Sequence, residues 1–188
     1  MISYEVNQAD LQRVTKALKG MEKKAPRVIK NAVNHTAKIA RKELYAGVSK
    51  GYTVKSGGFN KRVKIENATN SKLYAIIKAA DRTLTIGRFK TSAPKKGAKA
   101  DIVKKGLKEI VGSHHIHAFK LKGGAAGGLI AQRKGPERSP IKILRSNSVP
   151  KMLEMVYKGE RGTRKALDPV IKQTLHEEIA KEIAKIKA

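Results

Sequence analysis

Apolar residues recur every three or four positions near the start of the chain, a spacing that predicts helices. The first stripe follows Asp10, a suitable N-cap residue, and consists of Leu11, Val14, Leu18 and Met21. Pro26 suits the first turn of a second helix. The second stripe consists of Ile29, Ala32, Val33, Ala37, Ala40 and Leu44. Residues 1–50 are therefore predicted to form one long helix that is bent, or a broken pair.

A third apolar stripe lies near the end of the sequence. Asp168 and Pro169 predict a helix start, because Pro fits the first helical position. The stripe consists of Ile171, Leu175, Ile179, Ile183 and Ile186. An amphipathic helix within a helical segment 149–188 must bury this stripe, either on the chain's own sheet or on a neighbouring subunit. We expect the internal dock, with the end of the helix at an interface.

Between the helical segments the apolar period changes to two, which is typical of strands. Residues 63–66 and 73–77 alternate apolar and polar side chains on either side of a turn, and this predicts a β-hairpin. Two further extended stretches, 116–121 and 129–131, flank the glycine-rich GGAAGG and predict a second antiparallel pair. Residues 51–145 are therefore predicted to form an antiparallel sheet.

The order of helix, strands and helix is typical of an α+β fold rather than of alternating βαβ units. The sequence predicts a long bent or broken N-terminal helix packed on an antiparallel β-sheet, followed by a C-terminal amphipathic helix. A length of 188 residues suits a single domain over 1–188.

The chain is strongly basic, with 42 Lys and Arg against 15 Asp and Glu and a net charge of +27. This charge suits a polyanion or an acidic protein surface, while 4% aromatic residues offer little stacking for bases. One stretch near 90–108 is predicted to be a mobile basic loop, because Ser92 to Ala100 has no apolar anchor. The candidate contacts for a partner or polyanion are Arg88, Lys90, Lys95, Lys96, Lys99, Lys104, Lys105 and Lys108.

Residues that carry enzyme chemistry are sparse. The chain has no Cys, and GGAAGG matches neither phosphate-binding glycine pattern. His114, His115 and His117 form one histidine cluster, which either binds a metal or is solvated. We predict no catalytic residue, no cofactor, no metal and no enzymatic activity.

Three stretches of the sequence occur in a distinctive order. The first is APRVIKNAVNHTAKIARKELYAGVSKGYTVK followed by KRVKI, and the second is LTIGRF before a variable loop. The third is HAFKLKGGAAGGLIAQRKGPERSPIKIL, in which Arg138, Ser139, Pro140 and Ile141 follow a glycine-rich hairpin. Together these stretches span about residues 25 to 153 and resemble the minor tail protein Z family of long-tailed phages and prophages.

The resemblance implies a structural virion-assembly protein that completes the tail or joins it to the head. It implies a ring of identical copies, other tail or head–tail connector proteins as partners, and assembly in the bacterial host cytoplasm into the virion tail. The apolar stretches are far shorter than the roughly 20 residues needed to cross a bilayer, which predicts no membrane contact. The alternative from the charge is a DNA-binding protein that is not sequence-specific. A metal-dependent enzyme that uses the histidine cluster is a third hypothesis.

Overall fold

Four helices and eleven short strands make up the described part of the computed structural model, which covers residues 2–5, 8–55, 59–80, 83–123 and 127–187. The helices are α1 (Gln8–Ala17), α2 (Ala25–Gly51), α3 (Val149–Tyr157) and α4 (Asp168–Lys187). The strands are β1 (Ile2–Glu5), β2 (Val63–Glu66), β3 (Tyr74–Ala79), β4 (Thr83–Thr85), β5 (Lys90–Ser92), β6 (Lys99–Asp101), β7 (Lys108–Glu109), β8 (Phe119–Lys120), β9 (Ile130–Arg133), β10 (Ile141–Ile143) and β11 (Arg145–Ser148). The α+β prediction is confirmed. Within these ranges no helix is long and apolar enough to span a bilayer.

Residues Ile2–Glu5 form strand β1 and pair with β3, so the prediction of a helical segment over 1–50 is wrong at its start. The helical part that follows is a broken pair, one of the two predicted forms. Helices α1 and α2 are separated by a left-handed Gly20 and a short 3-10 turn over Glu22–Lys24. Pro26 lies in the first turn of α2, as expected, because a helix start needs no N–H there. Helix α1 already begins at Gln8, so Asp10 lies inside the helix and the expected cap at Asp10 is wrong.

The strands form four small antiparallel sheets, with orders β1-β3-β2, β10-β9-β8, β11-β4 and β5-β6-β7. Strands β2 and β3 pair Ile65 with Ile77, which confirms the first predicted hairpin. Strands β8 and β9 pair Phe119 with Ala131 and confirm the second antiparallel pair. Residues 124–126 of its glycine-rich connection lie outside the described residues.

Three groups of buried apolar residues hold these elements together. The C-terminal half of α2 packs with α3, β4 and Phe59, and the N-terminal half packs with α1, β3 and α4. A third group, Ile86, Ala98, Ala100, Ala118 and Ile130, lies among the strands after β4. Ile65 contacts the first two groups, and Ile102 contacts the first and third. Shared side chains therefore join the helical and strand regions.

The segment near 90–108, predicted as a mobile basic loop, contains strands β5, β6 and β7, which are joined by connections at 93–98 and 102–107. Its Ser92 to Ala100 stretch was expected to lack an apolar anchor, yet Ala98 and Ala100 are both buried. They pack against Ile86 and Ile130, which are distant in sequence. The expectation of no apolar anchor is therefore wrong, because long-range contacts provide the anchor that local composition does not show. The mobility of the segment stays a prediction.

The stripe of α4 docks inside the chain, as expected, but its main contact is α2 rather than the face of a sheet. Leu175 and Ile179 are buried beside Ile29 and Val33 of α2. Ile183 and Ile186 pack at the margin of the same core. Helix α4 begins at Asp168, whose carboxylate accepts a 2.6 Å hydrogen bond from the Tyr157 hydroxyl of α3.

Polar contacts border the apolar contact between α2 and α4. Glu178 contacts His35 Nδ1 of α2 and accepts a 2.6 Å hydrogen bond from Lys181. Asn31 donates a 2.9 Å hydrogen bond from its amide to Glu182. The Lys181 ammonium holds the pKa of Glu178 below its ordinary value, His35 adds to this effect, and burial opposes it. Glu178 is therefore a buried carboxylate with polar partners on both helices.

We expect Ile179→Asp to destabilise the fold by at least about 3 kcal/mol, because it removes a buried side chain and buries a charge without a partner. Ile179 is 3% exposed. The measurement is urea unfolding of the full chain. The control is Val170→Asp on the same helix, since Val170 is 48% exposed and should tolerate the change. Equal stability of the two variants would contradict the internal dock.

We also expect a pH-dependent contribution from Glu178. Its pKa is lowered in the folded chain, so its stabilising effect is complete above the ordinary value of 4.5 and is lost as the pH falls through the folded-state pKa. Glu178→Gln should therefore be less stable than the wild type at pH 7, and the difference should shrink in acid. Glu177→Gln, at an exposed neighbouring position, is the control in the same thermal melts.

Candidate partner-binding surface

Strands β5, β6 and β7 form the platform that carries most of the predicted contact residues. The register pairs Lys90 with Asp101, Lys99 with Glu109, and Ala100 with Lys108. Because successive side chains of a strand point to opposite faces, Lys90 and Lys99 share one face. Lys108 lies on the other face with the buried Ala100. The sheet therefore divides the basic residues between two sides.

The end of α2 holds this platform in place through Thr53. The Thr53 hydroxyl donates to the carbonyl oxygen of Asp101 and accepts a 3.1 Å hydrogen bond from the Lys90 N–H. The Thr53 N–H donates to the Ile102 carbonyl at 3.1 Å. Thr53, two positions after the end of α2, therefore holds the backbone of both β5 and β6.

A tight turn follows β6 and presents two lysines to solvent. Asp101 is 6% exposed, and its Oδ1 accepts a 3.1 Å hydrogen bond from the Lys105 N–H. Lys104 and Gly106 adopt left-handed backbone conformations, with φ of 53° and 87°. The buried carboxylate therefore closes the turn, and the Lys104 and Lys105 side chains stay exposed.

A groove of about 340 Å³ lies beside this turn. Its apolar lining consists of Ile86, Ala100, Ile102, Val103, Ile110 and Val111. Lys105 and Lys108 also line it. Val111 is 43% exposed, and Leu107, in the connection between the two lysines, is 42% exposed. The groove thus combines an apolar wall with a cationic edge.

The structure brings together only part of the predicted set of eight basic residues. Lys105 and Lys108 line the groove and Lys104 belongs to the same turn, whereas Lys90 and Lys99 lie on the opposite face of the sheet. Arg88 ends the 3-10 turn Ile86–Arg88, and Lys95 and Lys96 lie in the connection between β5 and β6. Their role in partner binding stays a prediction.

Ion pairing distinguishes one member of this set from the others. Lys99 pairs with Glu109 at 3.0 Å, and this contact lowers the pKa of Glu109. Within the described residues, the other seven basic residues have no ion pair. Their charge is therefore available to a binding partner.

The histidine cluster does not have the extended geometry that would place His115 and His117 on one face. His114 and His115 lie in the turn Ser113–His115 with φ of 57° and 55°. Among residues that the structure describes, no group of three His, Cys, Asp or Glu could hold a metal ion. That the cluster binds no metal stays a prediction.

Several acidic side chains form ion pairs within the chain, which the sequence-based prediction did not include. Glu66 pairs with Lys78 at 2.6 Å, and Asp168 pairs with Lys172 at 2.7 Å. Hydrogen bonds from Lys158 and Lys151 lower the pKa of Glu154 to about 2. The spacing of three or four residues along a helix is the signal that would have revealed several of these pairs.

Comparison with models of known protein families identifies the family of this chain. The model of prophage minor tail protein Z matches residues 10–187 of the 188-residue chain. The chain belongs to this family. No curated protein and no solved structure matches it. The minor tail protein Z family gives the chain a structural role in a phage tail and points to a non-enzymatic protein located in the virion tail.

We expect Thr53→Val to loosen the platform, because the valine cannot replace either hydrogen bond of the Thr53 hydroxyl. The loss should destabilise the chain by about 1–3 kcal/mol and speed amide exchange at Lys90. Urea unfolding and hydrogen exchange would measure the two effects. Thr91→Val is the matched control, since no hydrogen bond of the Thr91 hydroxyl is seen within the described ranges. Equal exchange at Lys90 in both variants would contradict the role of Thr53.

Proposed function

We propose that this minor tail protein completes the phage tail or joins it to the head, as a ring of identical copies that acts through protein contacts. The observation that carries the proposal is the family match over residues 10–187. A subunit of this kind needs surfaces that bind other tail or head–tail connector proteins, and it needs no reaction centre. Assembly of the virion tail would take place in the bacterial host cytoplasm.

Exposed charge beside exposed apolar residues supports a role in protein contacts. The groove near β6 and β7 offers an apolar wall, and its lysines lack ion pairs in the described part of the chain. Isolated exposed apolar side chains are ordinary, but apolar residues around a charged concave surface are typical of protein-binding sites. The eight basic residues from Arg88 to Lys108 are the proposed contact set.

The packing supports a single domain over residues 1–188. Ile65 contacts both cores that α2 builds, and Ile102 contacts the strand core and the core at the end of α2. Side chains shared in this way couple the stability of neighbouring regions. We therefore propose that residues 1–188 form one domain that unfolds cooperatively.

Sequence-independent DNA binding is the second candidate function. It is favoured by the net charge of +27 and by exposed basic residues on α2, among them Arg27, Lys38 and Lys42. An interface with six to ten phosphates would lose roughly 10³- to 10⁵-fold in affinity between 50 and 200 mM salt. A protein interface with an apolar centre would largely survive this change.

Deletion of the encoding gene in the phage or induced prophage tests the proposal. We expect heads and tails that do not join, or tails that are incomplete, in electron micrographs. Purified wild-type tails should contain the protein. Light scattering of the purified protein should show a closed oligomer. The wild-type gene supplied in trans is the control and should restore joined particles. Normal joined virions after deletion, or the protein's absence from purified tails, would contradict the proposal.

A further inference from the structure

We propose that the groove beside β6 and β7 binds an acidic segment of a partner tail protein, which inserts an aliphatic side chain between the lysines. This inference rests on the proposed function, because the partner is another protein of the virion. It goes further by assigning the site and the chemistry of the segment that occupies it.

The apolar wall of the groove provides the first argument. Ile86, Ile102 and Ile110 line it, and Val111 lies at its edge with 43% of its surface exposed. Leu107 adds a second exposed apolar side chain nearby, at 42%. A volume of about 340 Å³ lies at the lower end of the range of roughly 300–1,000 Å³ for binding pockets. An aliphatic anchor would cover surface that water now contacts.

The charge at the groove provides the second argument. Lys105 and Lys108 line it, and neither has an ion pair within residues 83–123 of this structure. The two acids of the groove are already engaged, because Glu109 pairs with Lys99 and Asp101 accepts the Lys105 N–H. A ligand with carboxylates beside its apolar anchor would therefore complement both parts of the groove.

The turn that carries Lys105 is preorganised. The buried Asp101 carboxylate closes it, and Thr53 of the helical region holds the Asp101 carbonyl. A binding loop whose backbone is already in place loses less conformational freedom when a partner docks. The groove can therefore bind a short segment without a prior rearrangement of its own backbone.

Other occupants complement the groove less well. Phosphates would contact the lysines but leave the apolar wall unused, and Phe89, near the platform, is fully buried and offers no stacking surface. A second copy of this chain would bring another net charge of +27. Described acids such as Glu66, Glu154 and Asp168 are already paired with the copy's own lysines. An acidic partner protein matches both the charge and the apolar surface.

The test uses the full chain and three fluorescent probes near physiological salt. The first probe is a Glu-rich peptide with a central pair of Leu residues, the second has Ser in place of each Leu, and the third is duplex DNA. Burial of one Leu side chain predicts roughly 10- to 100-fold tighter binding of the first peptide than of the second. Fluorescence anisotropy measures the three affinities.

Two groove variants and one matched control locate the binding. Lys108→Glu should reverse one groove charge, and Val111→Ser should remove apolar surface without changing the net charge. Each variant should lower the affinity for the Leu peptide at least about tenfold, as expected for the loss of a charge contact or of apolar burial. Lys38→Glu makes the same charge change on the exposed face of α2 and should leave binding nearly unchanged. Circular dichroism would verify that the variants fold.

Several outcomes would overturn the groove proposal. The proposal fails if the Leu peptide does not bind, or if the two peptides bind with equal affinity. It also fails if the affinity for duplex DNA decreases equally in both groove variants. Self-association of the chain that Lys108→Glu abolishes would assign the groove to a second copy instead. If both groove variants restore joined virions in the deletion strain, the groove proposal fails while the proposed tail function stands.

Discussion

The close packing of α2 with the elements around it is the constraint on which the rest of the structure depends. Eleven of its residues are buried, and nine of these belong to two cores that also include residues of α1, α3, α4 and β3. Small residues on α2 allow the surrounding elements to approach the helix closely. At Gly47, an added Cβ would lie 2.3 Å from Val156 Cγ1 of α3, so a larger residue would require Val156 to shift. The close approach of α3 to α2 therefore relies on a glycine at this position.

Local periodicity was sufficient to predict the helices and hairpins, because their signals repeat within a few residues. The stripes around Ile29 and Ile179 and the pairing of Ile65 with Ile77 required no knowledge of distant contacts. The segment near 90–108 required such knowledge. Its anchors are small alanines, and their burial depends on Ile86 of a 3-10 turn and Ile130 of β9. A composition of Lys, Gly and Pro resembles that of a mobile loop when these partners are unknown.

The candidate site was predictable in its residue types but not in its arrangement. Eight basic residues within about twenty positions appear as one cluster in the sequence, yet the strand register places Lys99 and Lys108 on opposite faces. The apolar wall of the groove joins Ile86 with residues 102–111, and no local pattern connects them. From the sequence alone, Asp101 resembles an exposed acid that balances the charge of nearby lysines. In the fold it is a buried group that closes the turn.

The distribution of charge connects the groove to the proposed ring. Several lysines at helical spacing neutralise acids of their own chain, so the surplus of +27 is carried by side chains that face outward. Identical copies packed side by side would bring such surfaces together, and charges within a screening length of about 8 Å repel at physiological salt. An acidic segment bound at the groove of each copy would reduce this repulsion. Partner binding and ring closure would therefore favour one another, and added salt would favour a ring of the isolated chain because it screens the repulsion between copies.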